Sequence, residues 1–225
     1  ATIRRVAASD VPVLIEGERI GEIAVEIDPR TLAPAMIAAL GRSGVTRASL
    51  GVQSFDPVVQ RAVNRVQTVA QTAAAVDGLR AAGVRGINFD LIYGLPHQTI
   101  ASCRDTVAAC LDMRPARFAV FGYAHVPGFK KHQRMIDEAT LPDGVARHAQ
   151  AEAIADALQA AGYRRIGLDH YALPSDPMVS AHLDGRLRRN FQGYTTDTTD
   201  ALLGFGASAI GRLPQGYVQN AVGLG

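Results

Sequence analysis

Two cysteines in 225 residues are too few for a secreted disulfide scaffold. No apolar run approaches the roughly 20 residues that a membrane-spanning helix needs, and the N-terminus has no charged-then-apolar signal segment. Neither sign of charge dominates: 23 Lys and Arg stand against 21 Asp and Glu, a net of +2. That balance removes the argument for nucleic acid or a membrane surface as a partner, and leaves room for a local basic cluster facing an anionic substrate. Apolar content is what the chain has. It is 48% hydrophobic against 20% charged, enough to bury a sizeable core and too much for disorder. These features read as a soluble, cytoplasmic chain of one large domain or two small ones. It opens at Ala1 rather than Met and stops at Gly225, just as a helix-like stretch, Gln219-Asn220-Ala221-Val222, begins, so both ends read as cut.

A strand followed by an amphipathic helix recurs. Ile23 to Ile27 reads as a strand, turned by Asp28-Pro29-Arg30 into a helix over about residues 31–41, with Leu32, Met36 and Leu40 on one face. Ala48 to Val52 is the next strand, and Val69, Ala73, Val76 and Leu79 line the helix after it. A third unit joins the strand Gly86 to Ile92 to a helix capped by Thr99, with Ile100, Cys103, Val107 and Leu111 inward. The strand Arg117 to Phe121, a long helix from Asp143 to Ala161 and the segment Tyr163 to Ile166 follow.

Three helices stop at the same punctuation, Gly44-Val45, Gly83-Val84 and Gly162-Tyr163, where glycine readily takes the left-handed conformation of helix ends. Short links between alternating strands and helices predict parallel strands with right-handed crossovers, hence an α/β fold with a curved parallel sheet or partial barrel. Beyond Gly162, Pro174, Pro177 and the polar run Thr195 to Asp200 suggest loops. Leu203 to Ile210 suggests another strand end, its glycines letting backbone approach a ligand. Residues 1–20 stay unplaced.

Function in a parallel α/β sheet gathers at the carboxyl ends of the strands. The polar residues there are Glu26, Gln53, Asp90 with Asn88, and Tyr123-Ala124-His125. Any one alone reads as a cap or turn former; four in series point to a ligand site. A ribose or amino-acid ligand needs such a mixture, with carboxylates for hydroxyls and an amine and an arginine for a carboxylate. No metal site is read. Cys103 and Cys110, seven residues apart on one helix, stand roughly 10 Å apart along its axis, beyond disulfide reach. They border the apolar face with Val107 and read as buried structural thiols. His125, His132, His148 and His170 show no short paired spacing, and His97 follows a proline in a turn.

Seven strings carry a resemblance, in order along the chain: Val25-Glu26-Ile27-Asp28-Pro29-Arg30, Leu50-Gly51-Val52-Gln53-Ser54-Phe55-Asp56, Ala62-Val63-Asn64-Arg65-Val66-Gln67, Phe89-Asp90-Leu91-Ile92-Tyr93-Gly94-Leu95-Pro96, Phe121-Gly122-Tyr123-Ala124-His125-Val126-Pro127, Gly167-Leu168-Asp169-His170-Tyr171-Ala172 and Arg189-Asn190-Phe191-Gln192-Gly193-Tyr194-Thr195-Thr196. Together they resemble the oxygen-independent coproporphyrinogen III oxidases, radical S-adenosylmethionine (SAM) enzymes of haem synthesis. The resemblance implies part of a radical SAM (β/α) barrel over residues 21–225, with a strand and loop extension after residue 162. The cluster-binding N-terminal part and the C-terminal helical domain would lie outside this chain. It implies SAM and a 4Fe–4S cluster as cofactors, and a porphyrinogen as substrate. The reaction implied is decarboxylation of two propionates of coproporphyrinogen III to vinyls, giving protoporphyrinogen IX. There a reduced cluster cleaves SAM, and the adenosyl radical takes hydrogen from the propionate. No electron donor and no catalytic side chain are implied.

Glu26, Gln53, Arg65, Asp90, Ile92, Ala124 and Ile210 fall on positions that line the SAM sites of that family. Arg65 would meet the methionine carboxylate, Gln53 and Asp90 the ribose hydroxyls, and the three apolar residues the adenine or methionine carbons. The substrate's carboxylates make Arg188, Arg189, Asn190 and Gln192 candidates, and also Lys130, Lys131 and His132, although a solvated face suits the lysine pair better. One departure stands out. The family's C-x3-C-x2-C loop is absent, and Cys103 and Cys110 cannot replace it. The chain by itself is therefore expected to bind no cluster, to be inactive, and to associate through a sheet edge exposed before Ile23. Two alternatives stay open: a haem-carrying relative of the same superfamily, and an inert piece with a SAM-shaped half-site. The strings Val63 to Gln67 and Arg189 to Gly193 favour the oxidases over the carriers.

Overall fold

The computed structural model describes residues 14–15, 18–19, 23–190, 193–196, 201–202 and 208–221. A two-residue hairpin, β1 (Leu14–Ile15) with β2 (Glu18–Arg19), precedes the main sheet. That sheet has six strands: β3 (Ala24–Ile27), β4 (Arg47–Gln53), β5 (Gly86–Tyr93), β6 (Arg117–Gly122), β7 (Arg164–Ile166) and β8 (His170–Ala172), in the order β3-β4-β5-β6-β8-β7. From β3 to β6 every pair is parallel. The crossovers carry α1 (Pro34–Arg42), α2 (Pro57–Ala62), α3 (Val69–Ala81) and α4 (Ile100–Asp112), and α5 (Gly144–Ala160) leads into β7. The sheet is open, and among the described residues β3 and β7 are its edges. The expected α/β partial barrel is what the chain forms.

Local chemistry explains where the helices start and stop. Thr99 caps α4 by accepting from Ser102 N at 3.1 Å while Ser102 Oγ accepts from Thr99 N, a reciprocal box that satisfies two orphan donors. Gly44, Gly83 and Gly162 take φ of 71°, 93° and 91°. The next residue then folds back: Val45, Val84 and Tyr163 N–H donate to Leu40, Leu79 and Leu158 carbonyls at 3.2, 3.0 and 3.0 Å. All six of these residues are buried, so each stop also seals a hydrophobic contact.

The core lies between the sheet and these helices. Leu50, Val52, Ile87, Phe89, Leu91 and Phe118 from the strands meet Leu40, Val76, Leu79, Val107, Ile154 and Leu158 from the helices. Phe118 is edge-on to Phe89 and Tyr163 at 6.1 and 5.1 Å, and the Tyr163 hydroxyl donates to the Pro115 carbonyl at 2.6 Å.

Several local expectations are corrected. α1 starts at Pro34, leaving Leu32 outside it, and Met36 is 46% exposed while Ile37 and Leu40 pack inward. Val69 and Ile100 sit in the first turns of α3 and α4, each 40% exposed. After Gly162 the chain does not leave the sheet: β8 joins β6 antiparallel and β7 joins β8. Pro177 opens α6 (Pro177–Leu183) rather than a loop, since Asp176 caps it and proline needs no N–H at a first helical position. Two hairpins follow, β9 (Arg188–Asn190) with β10 (Gly193–Thr195) and β11 (Ile210–Leu213) with β12 (Gly216–Gln219). Gln219 therefore ends a strand and starts no helix. Gln192, Asp197 to Asp200 and Leu203 to Ala207 lie outside the described residues, as do most of residues 1–20.

Candidate functional site

Alternation along the strands builds a second, polar face. On β4, Ala48, Leu50 and Val52 are fully buried under helices, so Ser49, Gly51 and Gln53 project the other way. Register carries the pattern across the sheet: Glu26 stands opposite Ser49, Ser49 opposite Asn88, and Gly51 opposite Asp90. The Ser49 hydroxyl donates to Asp90 Oδ2 at 2.9 Å, and Asn88 Nδ2 donates to Asp90 Oδ1 at 2.8 Å. Burial, the larger influence, still raises the Asp90 pKa despite these donors. The Glu26 carboxyl is pushed from 4.5 to about 7, first by desolvation and then by the Asp90 charge, although its side chain stays open to solvent on one side.

Arg65 arrives from outside the sheet. The segment between β4 and α3 is fastened by Gln60, whose Nε2 donates to Ser54 O at 2.8 Å and Gln67 O at 2.7 Å. Asp56 caps α2 within it, accepting from Val58 N at 2.7 Å. This excursion swings Arg65 back over the end of β4, where Nη2 donates to Gly51 O at 2.7 Å and Nη1 to Asp28 Oδ2 at 3.2 Å. Asp28 is gripped by Arg30 as well, and that hydrogen bond, ahead of the Arg65 charge, holds its carboxyl down at about 2. Glycine at 51 is what permits the approach: a Cβ there would lie 2.8 Å from Arg65 Nη2 and 2.9 Å from Gln53 Nε2.

Gln53 itself is strained, with φ of 66° at a register shift in β4. A non-glycine residue held left-handed costs about 1–3 kcal/mol and marks functional strand ends more often than plain ones. Among the described residues, four buried polar atoms at or near this face lack a hydrogen-bond partner: Gln53 Oε1, Arg65 Nε, Gln67 Oε1 and Asn88 Oδ1. Unpaired buried groups cost about 1–3 kcal/mol each, and a polar ligand with both donors and acceptors would satisfy them.

The structure thus brings Glu26, Gln53, Arg65 and Asp90 to one face at the strand carboxyl ends. Ile92, half-buried, is next along β5, and its carbonyl accepts from Gln98 Nε2 at 2.9 Å. Ala124 follows β6, and its carbonyl accepts from Gln133 Nε2 at 3.0 Å. Ile210 lies on β11, paired with Gln219. Arg188, Arg189 and Asn190 form β9 on the extension. Lys131 and His132 lie in an exposed 3-10 turn, and Lys130 stacks on its neighbour Phe129 at 5.5 Å. Ser49 and Asp28 are site residues that the motif reading passed over. The polar residues at every second position of β4 were the signal for Ser49. A cavity of about 320 Å³ lies elsewhere, on the helix side between α5 and the ends of β6 and β8, and none of the four site residues lines it.

A fold of this kind, with its polar groups converging at the parallel strand ends, meets its match in a family model. Residues 2–110 match the Radical SAM superfamily. Over 204 residues it is 70% identical to an oxygen-independent coproporphyrinogen III oxidase of Bradyrhizobium diazoefficiens, covering 91% of this chain and 45% of that one. It is 49% identical to an anaerobic coproporphyrinogen III oxidase of Cereibacter sphaeroides over 88% of this chain and 44% of that one. The solved coproporphyrinogen III oxidase HemN from Escherichia coli superposes with a TM-score of 0.86 at 40% identity, over 90% of this chain and 47% of that one. The chain is similar to these oxygen-independent coproporphyrinogen III oxidases, and it spans about half the length of the curated relatives it matches.

Proposed function

We propose that this chain is the SAM-holding part of an enzyme that oxidatively decarboxylates coproporphyrinogen III to protoporphyrinogen IX in the cytoplasm. Residues 21–225 are read as one barrel piece, with the extension after residue 162 placed against the substrate. The observation that carries the reading is the group of unpartnered buried atoms, Gln53 Oε1, Arg65 Nε and Asn88 Oδ1, beside a left-handed Gln53. SAM has the carboxylate, amine and ribose hydroxyls that such a set can satisfy. When bound, SAM supplies the hydrogen-abstracting chemistry of the class. This chain's residues bind and orient it: Arg65 for the carboxylate, Gln53 and Asp90 for the ribose, Glu26 for hydroxyl or amine, with Ile92 and Ala124 against the carbons. Ile210, on β11, is the third apolar residue proposed against the carbons.

The 4Fe–4S cluster does not fit the described residues. No group of three or more His, Cys, Asp or Glu among them could hold a metal. Cys103 and Cys110, the two cysteines of the sequence, are free and buried in α4. Burial pushes the Cys103 thiol up to about 12 and raises Cys110 as well, which suppresses the thiolate that iron needs. Cluster ligands would come from another part of the protein, and this chain alone would be inactive.

No helix among the described residues is long and apolar enough to cross a membrane. The porphyrinogen is the proposed partner, with neither nucleic acid nor membrane. The test has two arms. Anaerobic iron and sulfide, then desalting and metal analysis, should leave the 225-residue chain without stoichiometric iron. Calorimetry on cluster-loaded full-length protein carrying this segment should show SAM binding that depends on Arg65. Stoichiometric iron in the first arm, or affinity indifferent to Arg65 in the second, would overturn the reading.

A further inference from the structure

One motif remains without a role at the SAM face: Asp169-His170, at the start of β8. The register places His170 opposite Ala119, which in turn stands opposite Asp90, so His170 projects from the same face as Asp90. Its ring is fixed from every side. Nδ1 bonds Asp169 Oδ1 at 2.7 Å. Phe121 and Tyr194 meet the ring edge-on, with centroids at 6.3 and 5.3 Å. The second Asp169 oxygen accepts from Arg189 Nη2 at 3.3 Å, and that guanidinium lies 4.7 Å over the Tyr194 ring. Tyr194 is anchored in turn, its hydroxyl accepting from Leu168 N at 3.2 Å.

What this circuit leaves open is one atom. Nε2 of His170 has no hydrogen-bond partner among the described residues, and the residue facing it is Gly193. A Cβ at that position would lie 3.4 Å from Nε2 and 3.3 Å from Cε1, so with glycine there no side chain covers the Nε2 edge of a histidine that is 8% exposed overall. The charges point to what belongs there. Asp169 is a single carboxylate shared by two bases, His170 and Arg189. Asp90, the other carboxylate facing His170, is already engaged by Ser49 and Asn88.

We propose that His170 Nε2, positioned by Asp169 and flanked by Arg189, is a carboxylate-binding contact that selects a propionate-bearing substrate. The proposal deepens the oxidase reading and rests on it. The probe is coproporphyrin III, the stable oxidised tetracarboxylate, titrated by fluorescence quenching against the 225-residue chain, with its tetramethyl ester as the uncharged counterpart. The chain should prefer the acid. His170→Ala should weaken acid binding about 10- to 150-fold, the range for a hydrogen bond to a charged group, and leave the ester unchanged. His170→Gln, which keeps a donor near the Nε2 position, should lose less. Acid binding equal to the unmodified chain in both variants would overturn the proposal and leave the oxidase reading standing. So would equal losses in the two variants while His170→Gln melts like the parent. No preference for acid over ester in the unmodified chain would overturn both this proposal and the substrate half of the oxidase reading, whereas the SAM half is judged separately by calorimetry.

Discussion

The two faces of the six-stranded sheet come from the same strands and answer to different forces. On the helix side, Leu50, Phe89 and Phe118 are wholly buried, and the side chains there are held by packing. On the opposite side, Ser49, Asn88, Asp90 and Arg65 are held by directed hydrogen bonds, and among the described residues Gln53 Oε1, Arg65 Nε and Asn88 Oδ1 stay without a partner. One face therefore stores stability, and the other gives some up: a strained Gln53, a desolvated Asp90 and a Glu26 that holds its proton to about pH 7. Strain and unpaired groups persist where surrounding structure over-determines them, and the helix face supplies that surplus.

Substitution should separate the faces. The largest effect belongs to the packed side: Phe89→Ala should lower unfolding free energy by about 3–5 kcal/mol in urea titration. A loss below 1 kcal/mol would mean the helix layer is not the source of stability. On the polar side Arg65→Leu should cost about 10- to 150-fold in SAM affinity with little change in melting temperature. Asp90→Ala should weaken SAM more than Asp90→Asn, which keeps the shape. If the Arg65 and Asp90 variants simply melted earlier and bound normally, the two faces would not be functionally distinct.

A smaller effect is expected at Gly51. The atoms that a Cβ would meet are the far ends of Arg65 and Gln53, which can move aside at little cost to folding. Gly51→Ala should therefore leave stability near normal and lower SAM affinity by a smaller factor than Arg65→Leu; unchanged affinity would show that the Arg65 approach is not needed. The smallest signal is in pH. Between 4.5 and about 7 the folded chain keeps a proton on Glu26 that the unfolded chain releases. Its contribution to stability is thus fully present below pH 4.5 and is lost as pH rises through 7. Glu26→Gln should flatten the fall in stability across that window, as read by urea unfolding at several pH values. An identical slope would show that the carboxyl is not desolvated.

Much of this was legible in the residues alone. Strand and helix alternation, the glycine stops at 44, 83 and 162 and the Thr99 cap depend on neighbours a few positions away, so local pattern determined them. The polar residues at the strand ends were legible for the same reason, because a carboxylate closing an apolar run interrupts a period of two. Contacts distant in sequence were decided by the tertiary structure. Whether Met36 or Ile37 packs inward depends on where α1 meets α3, and Ile37 wins against the bare backbone of Gly78. That the segment after Gly162 returns antiparallel to β6 requires the pairing of His170 with Ala119, 51 positions apart in number and invisible to any local period. The same holds for the placement of Arg65 over Gly51 and of Arg189 on Asp169, since an arginine's partner is set by the fold that delivers the carboxylate or carbonyl to it. Local pattern was enough to say which segments are strands and helices and which ends carry polar groups. Strand register and the folding back of the 54–67 and 167–190 segments settle which of those groups meet, because such contacts join residues far apart in the chain.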